Sequence, residues 1–238
     1  LKHVCLLPPA TTPCPSGSLP DMVGAPRCLV VDCGGVTNED SGLKETVRRR
    51  LPAEADGNVA AKAAKKVWAA HRDDPNVERE AWWAEVCEAA GVDPSLVPEM
   101  EAELAATLRT SFPETQKVLR RAKEKGIVLG VISNHLSFLF KECAESSGFA
   151  ELLPPELVIV SSEVACNKPD AKIFQVFLDR LAALHPDLRA EDCVFVDDKQ
   201  ENVAVAESVG FRGICYDARK ASPGDLERAL CDLGMELD

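Results

Sequence analysis

The chain has 238 residues, of which 46% are hydrophobic and 28% charged, and its formal net charge at pH 7 is −12. This is the composition of a globular protein with room for one sizeable core, alone or with an insertion. The negative charge argues against nucleic acid or an anionic membrane as the main partner. A small anionic substrate is still compatible with it, because a metal ion and a lysine can reverse the potential inside a cleft.

Ten cysteines are scattered along the chain, with no Cys-x-x-Cys pair and no Cys/His cluster of zinc-ligand spacing. Several lie in apolar runs, among them Cys28, Cys193 and Cys215, and we expect buried, reduced thiols in a reducing compartment. No apolar run is long enough to cross a bilayer. We therefore expect a cytoplasmic monomer or homodimer that binds a small molecule, with neither nucleic acid nor membrane as a partner.

Two segments near the N-terminus differ from the rest of the chain. Residues 1–26 are rich in Pro, Ser, Thr and Gly and lack an apolar period, which predicts a disordered leader. Residues 41–111 are rich in Ala, Glu, Lys, Arg and Leu, and their apolar residues recur with helical spacing, which predicts an all-helical insertion of three or four helices. The pattern does not tell which helix face would meet a substrate. Trp82, Trp83 and the Arg48–Arg50 run are candidates, although core packing and a solvated surface are the simpler explanations.

Apart from this insertion, strand-like and helix-like segments alternate. The strands are near-continuous apolar runs, as is typical of parallel strands buried on both faces. The alternation predicts a doubly wound, Rossmann-like parallel sheet, with an α/β core over 27–40 and 112–238. The predicted strands are Cys28–Asp32, Ile127–Ile132, Leu157–Val160, Cys193–Val196 and Gly213–Tyr216. The predicted helices begin at Pro113 and then cover 136–146, 171–184, 201–209 and 223–233.

Four polar motifs lie at or just beyond the ends of predicted strands. Three of them have ordinary structural explanations when taken alone, since an Asp can cap a turn, a Ser-Asn pair can cap a helix, and a Lys-Pro can lie in a surface loop. The fourth is stronger, because two adjacent carboxylates at a strand end repel each other unless a divalent cation is bound. Oxygen-only ligands favour magnesium over zinc. In chain order, the motifs are Asp32, Ser133-Asn134, Lys168-Pro169 and Asp197-Asp198.

The combination of the four motifs predicts a chemistry. The carboxyl ends of parallel strands meet at one edge of a sheet, where ligands bind in open α/β folds. That edge would hold a carboxylate nucleophile, a hydroxyl, an amide, a lysine and an acidic pair. These are the groups needed for phosphoryl transfer, in which a carboxylate attacks phosphorus while a metal, a lysine and hydrogen-bond donors stabilise the phosphoryl oxygens. The sequence thus predicts a reaction through an aspartyl-phosphate that water hydrolyses.

The order of these motifs resembles the four motifs of the haloacid dehalogenase (HAD) superfamily, over nearly everything from Cys28 onward. The helical segment at 41–111 resembles the small helical cap of that superfamily. The stretches Val-Asp-x-Gly-Gly-Val, around Asp32, and Phe-Val-Asp-Asp-x-x-x-Asn, ending at Asn202, are most similar to one branch. That branch contains sugar-phosphate phosphatases and the phosphatase domain of bifunctional epoxide hydrolases.

The resemblance implies a role for each motif residue. Asp32 would be the nucleophile, and Lys168 would stabilise both the nucleophile and the transferring group. The cofactor would be Mg²⁺. The implied metal ligands are Asp32, the backbone carbonyl of Gly34, Asp197 and Asp198; the implied phosphate-binding residues are Ser133, Asn134 and Lys168; Asn202 would support the metal ligands from behind.

One position departs from the superfamily pattern. Most of its phosphatases carry a second Asp two positions after the nucleophile as general acid and base, and here that position is Gly34. Losing such a group costs on the order of 10²–10⁴ in rate. The similar branch tolerates a Gly here, so activity is not excluded, whereas a phosphomutase that depends on this acid is disfavoured.

The resemblance therefore implies a Mg²⁺-dependent phosphatase for a small phosphomonoester, with sugar phosphates as candidate substrates. The alternative is a non-catalytic binding or regulatory module on the same fold, motivated by Gly34. A haloacid dehalogenase uses the same nucleophile without a metal. It ranks lowest, because it gives no reason for the pair Asp197-Asp198.

Overall fold

Five parallel strands form one sheet in the computed structural model, which describes residues 24–40 and 42–237. The strands are β1 Cys28–Val31, β2 Val128–Ser133, β3 Val158–Val160, β4 Cys193–Asp197 and β5 Arg212–Cys215. Their order in the sheet is β3-β2-β1-β4-β5, with β1 in the centre. In register, Val31 lies opposite Val131 of β2 and Val196 of β4. The predicted parallel sheet is confirmed.

Four helices come between β1 and the remainder of the core, as the sequence pattern predicts. They are α1 Leu43–Arg48, α2 Gly57–His71, α3 Arg79–Ala90 and α4 Val97–Leu108. The first of them ends at Arg48, and Pro52 disfavours helical backbone at Leu51 just beyond it. Trp82 and Trp83 are 1% and 2% exposed and belong to the hydrophobic core, so the interpretation of this pair as core filling is confirmed.

The helices that follow cover the sheet on both faces. They are α5 Pro113–Glu124, α6 Ser137–Ser147, α7 Phe149–Leu152, α8 Ser161–Val164, α9 Ala171–Leu184, α10 Gln200–Val209 and α11 Asp225–Asp232. Successive residues of β1 point to opposite faces, so Val30 packs with Phe174 and Phe177 of α9, whereas Leu29 and Val31 pack in the cluster that includes the inserted helices. Burial on both faces explains why the strands appear in the sequence as uninterrupted apolar runs.

The connectivity makes the carboxyl end of β1 a switch point. From β1 the chain passes to β2 and β3 on one side, and later crosses to β4 and β5 on the other side. A crevice forms where the direction of winding reverses, and ligands bind there in folds of this class. Asp32 directly follows β1, Ser133 ends β2, and Asp197 ends β4. The topology therefore brings three of the four motifs to one edge.

Three expectations about the periphery have different outcomes. The prediction that Cys215 is buried was wrong, because it lies at the end of the edge strand β5 and is exposed, whereas Cys28 and Cys193 on the two central strands are buried. Most of the predicted leader, residues 1–23, lies outside the described residues. Within the described part of the chain, no helix is both long and apolar enough to cross a membrane.

The packing of β2 against α9 yields a prediction. A Cβ added to Gly130 would lie 2.4 Å from Cε2 of Phe177 and 3.3 Å from the carbonyl oxygen of Leu157. Overpacking of this kind commonly costs about 1–3 kcal/mol. We expect Gly130→Ala to lower the free energy of unfolding in urea by this amount. Phe177→Leu should cost less stability in the Gly130→Ala background than it does alone, because it removes the ring that the added Cβ would meet. Unchanged stability of Gly130→Ala would contradict this packing.

Candidate active site

Asp32 emerges from the buried strand β1 and is itself 5% exposed. Its Oδ1 accepts a hydrogen bond from the backbone N–H of Cys33 at 2.7 Å and lies 2.9 Å from Nζ of Lys168. Its Oδ2 makes no hydrogen bond to a residue that the structure describes. Burial raises the pKa of Asp32 to about 6, and the attraction of Lys168 opposes this shift, while the neighbouring Asp197 carboxylate adds to it.

Lys168 is 1% exposed and lies between two carboxylates. Its Nζ is 2.9 Å from Oδ1 of Asp32 and 2.6 Å from Oδ2 of Asp197. Burial alone would lower the pKa of Lys168, but the two carboxylates outweigh it and the pKa is raised. The side chain is therefore a fixed ammonium at the floor of the site.

The second motif divides into two different roles. The side chain of Asn134 is committed to the loop of Lys168: its Nδ2 donates to the carbonyl oxygen of Lys168 and its Oδ1 accepts from the backbone N–H of Lys168, both at 2.7 Å. Ser133 is 1% exposed, and its hydroxyl makes no hydrogen bond within the described parts of the chain. Both residues line the same cleft as Asp32. The hydroxyl of Ser133 is thus free for a ligand, whereas the amide of Asn134 holds the lysine loop.

The two acidic residues after β4 also differ from each other. Both oxygens of Asp197 are hydrogen-bonded, Oδ1 to the backbone N–H of Lys199 and to Nδ2 of Asn202 at 2.9 Å each, and Oδ2 to Lys168 at 2.6 Å. Asp198 accepts a hydrogen bond from Nη2 of Arg219 at 2.8 Å through Oδ2. Its Oδ1 is buried with no hydrogen-bond partner among the described residues, and Nζ of Lys199 is 3.6 Å away. Of these two residues, only Asp198 therefore offers an oxygen that makes no hydrogen bond.

The three carboxylates fit a divalent cation. One oxygen each from Asp32, Asp197 and Asp198 lies within 4.8 Å of the others. Like charges at this distance repel strongly in a buried site, and Lys168 and Arg219 offset this repulsion only in part. An oxygen-only donor set that includes an orphaned carboxylate oxygen is suited to Mg²⁺.

Arg219 is a site residue that the motif search missed. It donates to Oδ1 of Asp217 at 2.6 Å, to Oδ2 of Asp198 at 2.8 Å, and to Oδ2 of Asp40. It follows β5, so its loop lies at the same sheet edge as the loops that carry the motifs. A search of every strand end, rather than of the motif strands alone, would have found it.

Two glycines leave room for carboxylates beside Asp32. Gly35 has φ +80°, and a Cβ there would lie 2.9 Å from Oδ2 of Asp198, so this position requires glycine for its backbone and for its space. A Cβ on Gly34 would lie 2.8 Å from Oδ1 of Asp40. The carboxylate of Asp40 therefore occupies the space that a side chain at position 34 would enter, and it lines the cleft.

The cleft above Asp32 has a volume of about 500 Å³, which is within the range of small-molecule sites. The motif residues form its floor, and the inserted helices contribute the opposite wall. None of the substrate-contact candidates Trp82, Trp83 and Arg48–Arg50 lines it. To this cleft the insertion contributes Leu43, Lys44 and Glu45 of α1, Lys65, Trp68 and Ala69 of α2, Arg72 just after α2, and Thr107 of α4.

Comparison with known proteins shows several relatives. The phosphoserine phosphatase of Thermus thermophilus is 29% identical over 187 residues, which are 74% of this chain and 70% of that protein. The phosphoglycolate phosphatase of Pectobacterium atrosepticum is 23% identical over 71% of this chain and 68% of its own.

Solved structures have the same fold. A HAD-family enzyme of Bacteroides thetaiotaomicron matches with a TM-score of 0.64 at 15% identity, over 85% of this chain and 98% of that one. The L-2-haloacid dehalogenase of Xanthobacter autotrophicus matches with a TM-score of 0.54 at 15% identity, over 79% of this chain and 76% of that one. At such identities a shared fold does not decide the reaction. A family model, however, described as a haloacid dehalogenase-like hydrolase, matches residues 26–210 of the sequence. By this match, the chain belongs to the haloacid dehalogenase-like hydrolases.

Proposed function

We propose that the chain is a Mg²⁺-dependent phosphatase that hydrolyses a small phosphomonoester through an aspartyl-phosphate. The observation that carries this is the ammonium group of Lys168, held between Asp32 and Asp197 below a cleft into which a free Ser133 hydroxyl opens. Such a site combines a nucleophile with donors for phosphoryl oxygens. The two relatives named as phosphatases support the same reaction class.

In the first step, Oδ2 of Asp32 attacks phosphorus and the bond to the leaving oxygen breaks. Oδ1 is held by Cys33 N–H and Lys168, so the carboxylate presents its free oxygen to the cleft. Lys168 and the Ser133 hydroxyl stabilise the charge on the equatorial oxygens. In the second step, water attacks phosphorus, and the bond between phosphorus and Asp32 breaks to release phosphate.

Magnesium, when bound, would neutralise the carboxylates and the phosphoryl group. Asp32, Asp198 and the carbonyl of Gly34 are the residues we propose to hold it. Asp198 is better suited to direct contact than Asp197, because both oxygens of Asp197 are already occupied by hydrogen bonds. Asp197 then acts mainly by fixing Lys168, and Asn202 fixes Asp197.

The proton steps need a group that Gly34 cannot supply. Asp40 is proposed to supply it, because its carboxylate lies where a side chain at position 34 would be and faces the cleft. Arg219 holds the other oxygen of Asp40 and positions it. In this role Asp40 protonates the leaving oxygen and later accepts a proton from the attacking water.

Two other functions on this fold compete with this proposal. A dehalogenase shares the nucleophile but has no use for a three-carboxylate site with an orphaned oxygen on Asp198. A non-catalytic module would bind Mg²⁺ or phosphate without turnover.

We further propose a cytoplasmic location and action as a monomer or homodimer, and the free thiols of the buried cysteines in the described chain are compatible with a reducing compartment.

The first prediction concerns the nucleophile. Phosphate release from a panel of sugar phosphates, small acid phosphates and an aryl phosphate is expected to require Mg²⁺. Asp32→Asn should lower it by several orders of magnitude, as loss of a covalent nucleophile does. Asp232→Asn, on an exposed carboxylate of α11, is the control. Equal rates for wild type and Asp32→Asn across the panel would refute the phosphatase proposal, and Mg²⁺ binding without turnover would favour the non-catalytic module.

A second prediction separates the proton donor from the nucleophile. Asp40→Asn should lower kcat on an alkyl phosphate, whose leaving group needs a proton, by on the order of 10²–10³. Hydrolysis of an aryl phosphate with a good leaving group should change much less. Glu39→Gln, which removes the adjacent cleft carboxylate, is the matched control. An equal loss on both esters, or no loss on either, would exclude the acid/base role of Asp40.

A third prediction concerns the metal ligands. Asp198→Asn should raise the Mg²⁺ concentration for half-maximal activity by roughly 10–100-fold, because it replaces a charged ligand by a neutral one. Calorimetric titration with Mg²⁺ should give the same shift in Kd. If the shift is instead larger for Asp197→Asn than for Asp198→Asn, the assignment of the direct ligand is reversed.

A further inference from the structure

One face of α2 is turned toward the active site. Lys65, Trp68, Ala69 and Arg72 all line the cleft, and their spacing of three, four and seven residues places them on one stripe of the helix. The adjacent stripe consists of the buried residues Ala60, Ala61, Ala64 and Val67, which anchor the helix in the core. This stripe of α2 therefore forms part of the cleft wall.

The positive charges of this wall form no salt bridge with a described residue. Lys44, Lys65 and Arg72 have no carboxylate within 4.0 Å anywhere in residues 24–40 and 42–237. By contrast, two of the cleft carboxylates are paired, Asp40 with Arg219 and Glu45 with Arg48. In a chain with a net charge of −12, three unpaired cations around one cleft call for an anion from outside.

Arg72 is the best placed of the three. Its Nη2 donates to Oδ1 of Asn167 at 3.0 Å, next to Lys168, and Nδ2 of Asn167 donates to Asp73. The hydrogen bond to Asn167 fixes the guanidinium beside the loop that carries the catalytic ammonium of Lys168. Its Nε is buried without a hydrogen-bond partner among the described residues, an arrangement that is costly unless a ligand completes it. The planar fork of an arginine matches a carboxylate or a phosphate.

Trp68 provides an apolar surface between the two charges of the stripe. Its ring meets the ring of His135 edge to face, with centroids 5.0 Å apart, and His135 directly follows the Ser133-Asn134 motif. A short carbon skeleton could lie against this indole while its two ends reach charged groups. The wall is thus built from a cation, an aromatic ring and a second cation.

Resting on the proposed function, we infer that the substrate carries a second oxyanion, a carboxylate or a second phosphate, which Arg72 and Lys65 bind while its phosphoryl group lies at Asp32. A neutral sugar phosphate would leave these cations unpaired. The substrate class is therefore a small phosphorylated acid or a bisphosphate, and Arg72 and Lys65 determine specificity.

Matched pairs of esters test this inference. Phosphoglycolate is compared with ethyl phosphate, 3-phosphoglycerate with glycerol 3-phosphate, and fructose 1,6-bisphosphate with fructose 6-phosphate. We expect kcat/KM to be at least about 10-fold higher for the member with the second oxyanion, mainly through a lower KM. The first two pairs report a carboxylate, and the third reports a second phosphate. Absence of a preference in all three pairs would overturn the inference.

Variants locate the preference on the wall. Arg72→Met and Lys65→Met should each reduce this preference by roughly 10-fold or more, because the loss of affinity falls mainly on the member with the second oxyanion. Lys66→Met removes an exposed charge of α2 that does not line the cleft and should change neither ester. If Arg72→Met and Lys65→Met lower kcat/KM equally for both members of a pair, these residues do not bind the second oxyanion. For Arg72 such a result would mean that it acts only by positioning the lysine loop through Asn167.

Failure of the phosphatase proposal is distinguishable from failure of this inference. If wild type hydrolyses no ester, including an aryl phosphate, the phosphatase proposal fails. Calorimetric binding of phosphoglycolate and ethyl phosphate to Asp32→Asn then tests the wall without turnover. Tighter binding of phosphoglycolate that is lost in the double variant with Arg72→Met supports the inference, and equal affinities overturn it.

Discussion

The buried ammonium of Lys168 is the interaction on which the rest of the site depends. Each of its carboxylate partners would be strongly disfavoured in the sheet edge without it, because an unpaired buried charge costs several kcal/mol. The carboxylates come from β1 and β4, which are neighbours only because the chain crosses over β1. The lysine comes from a loop that Asn134 holds by two hydrogen bonds. This cluster of charges therefore connects the ends of β1 and β4 directly, and through Asn134 it also connects the end of β2.

A second cation extends this cluster outward. Arg219 joins Asp198, Asp217 and Asp40, so the acidic groups around Asp32 are distributed between a buried lysine and a half-buried arginine. The glycines at positions 34 and 35 make this possible, since a side chain at either one would meet a carboxylate. The glycine at position 34, where most phosphatases of the superfamily have an Asp, therefore leaves the space that the carboxylate of Asp40 occupies. Together with the wall of α2, the cluster forms a cleft with an acidic floor suited to a metal and a side that carries Lys65 and Arg72.

Much of the fold could be predicted, because parallel strands buried on both faces leave an unambiguous apolar run in the sequence. The five strands and the predicted helices of the core lie within a few residues of the expected positions, whereas the short helices α7 and α8 were not predicted. The predictions were wrong where the local sequence pattern does not match the environment of the residue in the fold. Cys215 sits in an apolar run, yet it is exposed at the end of an edge strand. The helices of the insertion were evident from their period, but the period is the same whether the polar face meets solvent or a cleft.

The sequence by itself determined the chemistry that is available: a carboxylate, a hydroxyl, a lysine and an acidic pair, each at a strand end, in an order typical of one superfamily. These features are local, since strand ends and their polar residues follow from the apolar pattern along the chain. Only the tertiary structure decided that Asn134 holds the backbone of Lys168, that Asp40 fills the space beside Gly34, and that Arg72 lines the same cleft as Asp32. Those contacts join residues far apart in the chain, and they depend on the angle at which helices and loops pack against the sheet, which no local pattern encodes.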